Sequence, residues 1–294
     1  MTHSRNYRTL RRLILPALAG GALAALAFAP TFGAEPVQAN VPSQSISVPK
    51  GDAPKADVPK TDVPKADVPR PDDVKTGEIN EQTPHKEANP STFTGTSVIS
   101  ESKTFEHQRF DNTTSDQNAF ISKNKATITI DSSVFDKTGN TTNDNNSNFR
   151  GQNAVVLGIE GSQTNIKDSN ITSNSIGSNA VFATGEGSVI NVENTNIHTK
   201  GDSSRGLDAT YKGTVNGKNL TITTEGAHSA TLATDRGEGT ITAEAAKLTT
   251  SGTGSPVIYS TGNITANNVN GVSNKSEIGV VEGKNSITLT NSNV

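Results

Sequence analysis

Between residues 95 and 294 apolar residues recur at positions i, i+2 and i+7. Ile128/Ile130/Phe135, Ile190/Val192/Ile197, Ile241/Ala243/Leu248 and Ile287/Leu289/Val294 fit the spacing, Val215/Gly217/Ile222 is a weaker copy, and Ile166/Ile171 and Ile264/Ala266/Val269 are shortened ones. The anchors fall at 128, 164, 190, 215, 241, 264 and 287, separated by 36, 26, 25, 26, 23 and 23 residues. Positions i and i+2 lie on one face of a strand because side chains alternate. Before i+7 stands a polar group such as Glu193-Asn194-Thr195-Asn196 or Asn291-Ser292-Asn293, which turns the chain into the next strand. A further apolar run precedes each anchor, as in Ala154–Leu157, Ala180–Ala183 and Val257–Tyr259, set off by a glycine turn such as Gly185-Glu186-Gly187. Three short strands per turn of about 25 residues predict an all-β fold, a right-handed parallel β-helix in which each rung hydrogen-bonds to the next.

Stacking such rungs predicts ladders. Ile128, Ile190, Val215, Ile241, Ile264 and Ile287 form one row, and Phe135, Ile171, Ile197, Ile222 and Leu248 another. For the run before each anchor two registers are possible. With Val155, Val181, Leu207 and Val257 inward, Val156, Phe182, Leu232, Ile258 and Val280 point outward as an apolar stripe, a candidate binding surface interrupted at Asp208. In the opposite register these residues are core. The 36-residue spacing contains an Asn-rich excursion, Gly139 to Phe149, which is either a binding loop on a rigid scaffold or a tolerated disordered loop.

Composition changes this picture at the N-terminal end. Residues 1–39 have the form of a secretory signal: Arg5, Arg8, Arg11 and Arg12, the apolar stretch Leu13 to Phe28, and Val37-Gln38-Ala39 as a small-residue cleavage site. Pro16, Gly20 and Gly21 interrupt that stretch, which is shorter than the roughly 20 residues that span a bilayer. Residues 40–94 carry a pentapeptide repeat with Pro54, Pro59, Pro64 and Pro69 between solvated Lys and Asp, and read as a disordered, extended spacer. Three domains result: signal peptide 1–39, spacer 40–94 and β-helix 95–294.

Only 31% of the chain is hydrophobic and 4% aromatic, with no Cys, so neither disulfides nor thiolate chemistry is available. The net charge of −3 offers no basic field for nucleic acid. His3, His85, His107, His198 and His228 show no metal-ligand spacing, and no metal or cofactor is expected. The acids are scattered. Asp208 with Arg205 is the one suggestive pair, and reads as a solvated ion pair in a loop.

Rungs of the form Ser178-Asn179-Ala180-Val181-Phe182-Ala183, a glycine turn, then Ser188-Val189-Ile190-Asn191-Val192, resemble the passenger regions of Gram-negative autotransporters of the pertactin and adhesin kind. The resemblance covers about residues 120–294 and implies an exported passenger at the cell surface, in the outer membrane or secreted. It implies an adhesin or structural role without catalysis, with a host or neighbouring-cell protein or glycan as partner. It also implies a C-terminal translocator barrel, which this sequence does not contain, so a longer surface protein is expected. The other expectation for this fold is a carbohydrate-active enzyme, a polysaccharide lyase or hydrolase, which needs acids converging on one strand face.

Overall fold

The computed structural model describes residues 87–294 and the backbone of residues 7–9. The rest of the signal peptide and most of the spacer lie outside the described residues. From Gly95 onward the chain is a parallel β-solenoid of eight turns, with three stacked sheets as its faces. Face A stacks Gly95–Ile99, Asn118–Ser122, Val156–Gly158, Val181–Thr184, Leu207–Thr210, Leu232–Thr234, Ile258–Ser260 and Gly279–Glu282. Face B runs from Lys103–Glu106 through Thr127–Asp131, Gln163–Lys167, Val189–Glu193, Thr214–Lys218, Thr240–Glu244 and Asn263–Asn267 to Ser286–Thr290. Face C runs from Arg109–Asn112 through Val134–Lys137, Asn170–Ser173, Asn196–Thr199, Thr221–Thr224 and Lys247–Thr250 to Asn270–Ser273. A short strand, Tyr7–Thr9, pairs antiparallel with Gly279–Glu282. It falls inside the segment read as an export signal, so cleavage after Ala39 would remove it.

The register builds the expected ladders. On face B, Ile128, Thr164, Ile190, Val215, Ile241, Ile264 and Ile287 are consecutive cross-strand partners. On face C, Phe110, Phe135, Ile171, Ile197, Ile222 and Leu248 stack in turn. Gly271 takes the next place in that column, and Val269 is buried one corner earlier. Phe105, Phe110, Phe120 and Phe135 fill the first rungs, with ring centroids 4.9 to 6.2 Å apart. The turn from face B to face C repeats one left-handed residue per rung, at Ser132, Asp168, Asn194, Asn219 and Asn268 among others. Asn and Asp tolerate that conformation best after Gly, which is why polar groups stand there.

Much of the interior is polar, which apolar periodicity does not reveal. At the corner between faces C and A, the Oγ atoms of Ser204, Ser229 and Ser255 accept from the backbone N–H groups of Ser178, Ser204 and Ser229, each at 2.9 Å. The Thr199, Thr224 and Thr250 hydroxyls donate to the Ser204, Ser229 and Ser255 carbonyls at 2.5 to 2.6 Å. A corner carbonyl is thereby satisfied in each of these three rungs.

Lys137 occupies the equivalent interior position one turn before Ser173. Its Nζ donates to the Gly139 carbonyl at 2.7 Å and the Thr114 carbonyl at 3.0 Å, and its side chain is fully buried. Burial pushes its ammonium down to about 8, with Asp116 acting in the opposite direction. Below pH 8 the lysine is charged in both folded and unfolded chains. Between 8 and the ordinary 10.5 the unfolded chain holds the proton more strongly, so stability rises with pH through that window. Urea unfolding at rising pH should show a gain of roughly 3 kcal/mol across it, and Lys137→Met should remove that slope. Equal slopes in the two proteins would exclude the account.

Two corrections concern the exterior. Residues 87–94, assigned by composition to the spacer, are folded: Asn89 caps a 3₁₀ turn at Pro90–Thr92 and Phe93 is buried. The Asn-rich excursion is neither an open binding loop nor disordered, because it forms helix α1, Asp144–Arg150. Asn143 Oδ1 caps α1 by accepting from Asn146 N at 3.0 Å, and Gly151 ends it in the left-handed conformation. Ser147 Oγ donates to the Gly177 carbonyl at 2.6 Å, and Thr210 Oγ1 to the Phe149 carbonyl at 3.0 Å, fastening α1 across face A.

Candidate functional site

The apolar stripe is not an exposed surface. Val156 pairs with Val181, Leu207 with Leu232 and Leu232 with Ile258, so Val156, Leu232 and Ile258 point into the solenoid and are fully buried in the main core. The expected alignment of Val155 with Val181 is one residue off, and a one-residue slip exchanges the faces of a strand. Phe182 does point out of the barrel, in the row Ile121, Leu157, Phe182, Asp208, Ala233, Tyr259 and Val280. Yet Phe182 is buried too, in a second apolar cluster with Phe93, Ile121, Ala154, Leu157 and Ile159. Val280 is half-buried. Residues 87–93 and α1 cover the outward row at its N-terminal end.

Glu87 ties this cover together. Its carboxylate accepts from Arg150 Nε at 2.8 Å and Tyr211 Oη at 2.6 Å, and pairs with Arg236. The Arg150 guanidinium lies 3.8 Å from the centroid of the Tyr211 ring, and that of Arg236 lies 3.7 Å from the Phe149 ring. Cation–π contacts of this kind contribute about 0.5–2 kcal/mol each.

Asp208 and Arg205 are likewise not a solvated pair. Asp208 is 0% exposed. Arg205 Nε lies 2.9 Å from Asp235 Oδ2 and 3.8 Å from Asp208 Oδ2, while Arg205 NH1 donates to Asn148 Oδ1 of α1 at 2.8 Å. Neither Asp208 oxygen has a hydrogen-bond partner. Burial first and the Asp235 charge second raise the Asp208 carboxyl well above its ordinary range. Burial also raises Asp235, against the pull of Arg205. One cation between two buried carboxylates favours a proton held by the pair. The Tyr259 hydroxyl is raised as well, by burial and then by Asp235. Asp235 was not singled out from the sequence: it lies 27 residues beyond Asp208, and only the rung stacking brings them together.

The accessible feature is on face B, where the outward side chains form a polar lattice. Asn165, Asn191, Asn216 and Thr242 are successive cross-strand partners. Thr242 Oγ1 donates to Asn216 Oδ1 at 2.7 Å, Asn216 Nδ2 to Asn191 Oδ1 at 2.8 Å, and Asn191 Nδ2 to Asn165 Oδ1 at 2.8 Å. Two residues along each strand, a second column runs Asp131, Lys167, Glu193, Lys218, Glu244, alternating in sign. Lys167 pairs with Asp131 at 2.7 Å and Lys218 with Glu193 at 3.8 Å. Between the columns lies an open groove of about 560 Å³, reaching from Thr129 to Thr265 across the rungs. The same alternation that directs Ile190 and Val192 inward directs Asn191 and Glu193 outward. The amide column was therefore legible in the sequence once the rungs were aligned.

His198 points outward from face C, as its place after Ile197 requires, and contacts Glu225 Oε1 at 2.6 Å. Among the described residues no cluster of three His, Cys, Asp or Glu is placed to hold a metal ion, and no helix is long and apolar enough to cross a membrane. The arrangement defines a class: a parallel β-solenoid with one covered face and one open, amide-lined face. Comparison with models of protein families, with curated proteins and with solved structures finds no match.

Proposed function

We propose that this chain is an exported surface passenger that works as a binding scaffold, an adhesin, with face B as its contact face. The observation that carries this reading is the amide column. It is a row of polar groups already fixed by hydrogen bonds, standing on a sheet whose other side is the core. A partner binding there immobilises little that is not already fixed, which lowers the entropic cost of association. The N-terminal signal pattern and the resemblance to autotransporter passengers support export. The test is protease treatment of intact producing cells, which should digest the chain at the cell surface. Deletion of the gene should reduce attachment to host or neighbouring cells. A chain protected until lysis, or attachment that survives deletion, would sink the reading.

One observation favours a second reading, a carbohydrate-active enzyme. Asp208 and Asp235 are paired acids with raised proton affinity, the property a general acid needs. In this structure the pair is closed off by Arg205, with Asn148 of α1 bonded behind it. Release of reducing ends from a polysaccharide panel, lost in Asp208→Asn, would establish the enzyme instead.

A further inference from the structure

The geometry points to an extended, uncharged polysaccharide as the ligand of the face B groove, lying along the solenoid axis with its residues in step with the rungs. The inference deepens the surface-binding reading and rests on it.

Three features select this chemistry. An Asn amide has two N–H donors and two acceptor lone pairs. The column from Asn165 to Thr242 uses one of each between neighbours, which leaves the half-buried Asn191 and Asn216 each with one donor and one acceptor site unused by the column. Rungs of a parallel sheet repeat at about 4.8 Å, comparable to the length of one sugar residue in an extended chain. A polyol can therefore meet the same donor and acceptor on the successive rungs of Asn191 and Asn216.

The charged wall excludes the main alternative. Lys167, Glu193, Lys218 and Glu244 alternate along the groove, so a polyanion meets attraction and repulsion in turn and gains no net field. A peptide is disfavoured for another reason. The backbone groups of the central face B strands are already bonded to rungs on both sides, so they cannot accept a further strand, and the two columns that flank the groove present Asn, Thr, Lys and Glu rather than apolar side chains.

The hydrogen bonds of the column all run one way, from Thr242 toward Asn165. The aligned amides distinguish the two ends of the groove. A polysaccharide, whose two ends differ, would lie in a single direction.

The experiment uses the full chain against linear neutral oligosaccharides of increasing length, β-1,4-linked glucose and mannose and α-1,4-linked glucose. Oligogalacturonate is the anionic probe and immobilised collagen the protein probe, each at low and high salt. Attachment of the producing cells is measured in parallel. Expected are affinity for at least one neutral series that rises with chain length, indifference to salt, and a loss of at least about tenfold, or 1.4 kcal/mol, in the double variant Asn191→Leu/Asn216→Leu. Thr223→Val, outward on face C, should bind as wild type. If the double variant does not fold, Thr242→Val removes a single hydroxyl at the head of the column and should weaken binding in the same direction. Salt-dependent binding of oligogalacturonate, binding to collagen alone, no binding to any probe, or neutral binding that survives the substitutions would overturn the inference. With attachment retained, the surface-binding reading would still stand. Loss of attachment upon gene deletion is the separate requirement of that reading, and its failure would remove both.

Discussion

Ile241→Asp is expected to abolish cooperative folding of the solenoid's middle rungs, the largest effect of any single substitution considered. Ile241 is fully buried, with Val215 on the rung before it and Ile264 on the rung after. Loss of the side chain's burial alone removes roughly 1.5–3 kcal/mol. The incoming carboxylate finds Val215 and Ile264 as column neighbours, and an unpaired buried charge adds several kcal/mol more. The sum, above about 4 kcal/mol, is comparable to a domain's whole stability. Because each rung contacts chiefly its neighbours, the damage divides the stack. Circular dichroism on heating should show either an unfolded chain or two separated transitions in place of one. A melting curve superposable on the wild type's would mean that the column is not the core.

The contrast between ladders and cover shows what a periodic sequence reveals. Ile190, Ile241 and Ile287 advertise their register because a purely apolar pair recurs at i and i+2 beside polar neighbours, and one face of the strand is thereby marked. Face A strands carry no such mark. Val155, Val156 and Leu157 are all fully buried, because core packs on one side and the cover on the other. A strand buried on both faces reads as a continuous apolar run in which register is invisible. The second layer comes from residues 87–93 and from α1. Asn143 to Asn148 look like loop by composition, yet they fold because Asn143 caps the helix, Ser147 and Asn146 bond to neighbouring backbone, and Phe149 packs beneath Arg236. Apart from the local Asn143 cap, those are long-range contacts, and nothing in the local spacing announces them. Ser204, Ser229 and Ser255 show the same limit inside the barrel, where a polar ladder is indistinguishable in sequence from solvated turns.

Arg205→Leu should be the second most damaging substitution, and its effect should depend on pH. Arg205 is the cation set between Asp235 and Asp208, and its NH1 also holds Asn148 of α1. Burial opposes its charge, but Asp235 and Asp208 together hold it protonated. Removing one partner of a buried ionic cluster costs about 3–5 kcal/mol, because the charge left behind is uncompensated. The sign of the pH dependence follows from the acids. Asp208 and Asp235 take up protons more readily in the fold than their ordinary value of 3.8, so the folded chain binds more protons above that pH. Their contribution to stability is complete below 3.8 and declines as pH rises through the folded values. In wild type Arg205 limits the decline. In Arg205→Leu the chief opposing charge is gone, so the variant should be closest to wild type in mild acid and fall away toward neutrality. Asp208→Asn, which keeps the shape and removes one titrating group, should flatten the profile and partly restore Arg205→Leu when the two are combined. Hydrogen exchange of residues 144–150 should report the same sequence locally, with α1 opening before the rungs in Arg205→Leu at neutral pH and protected again in acid. A destabilisation equal at all pH values would show that Arg205 acts through packing of its side chain rather than through the charge between the two acids.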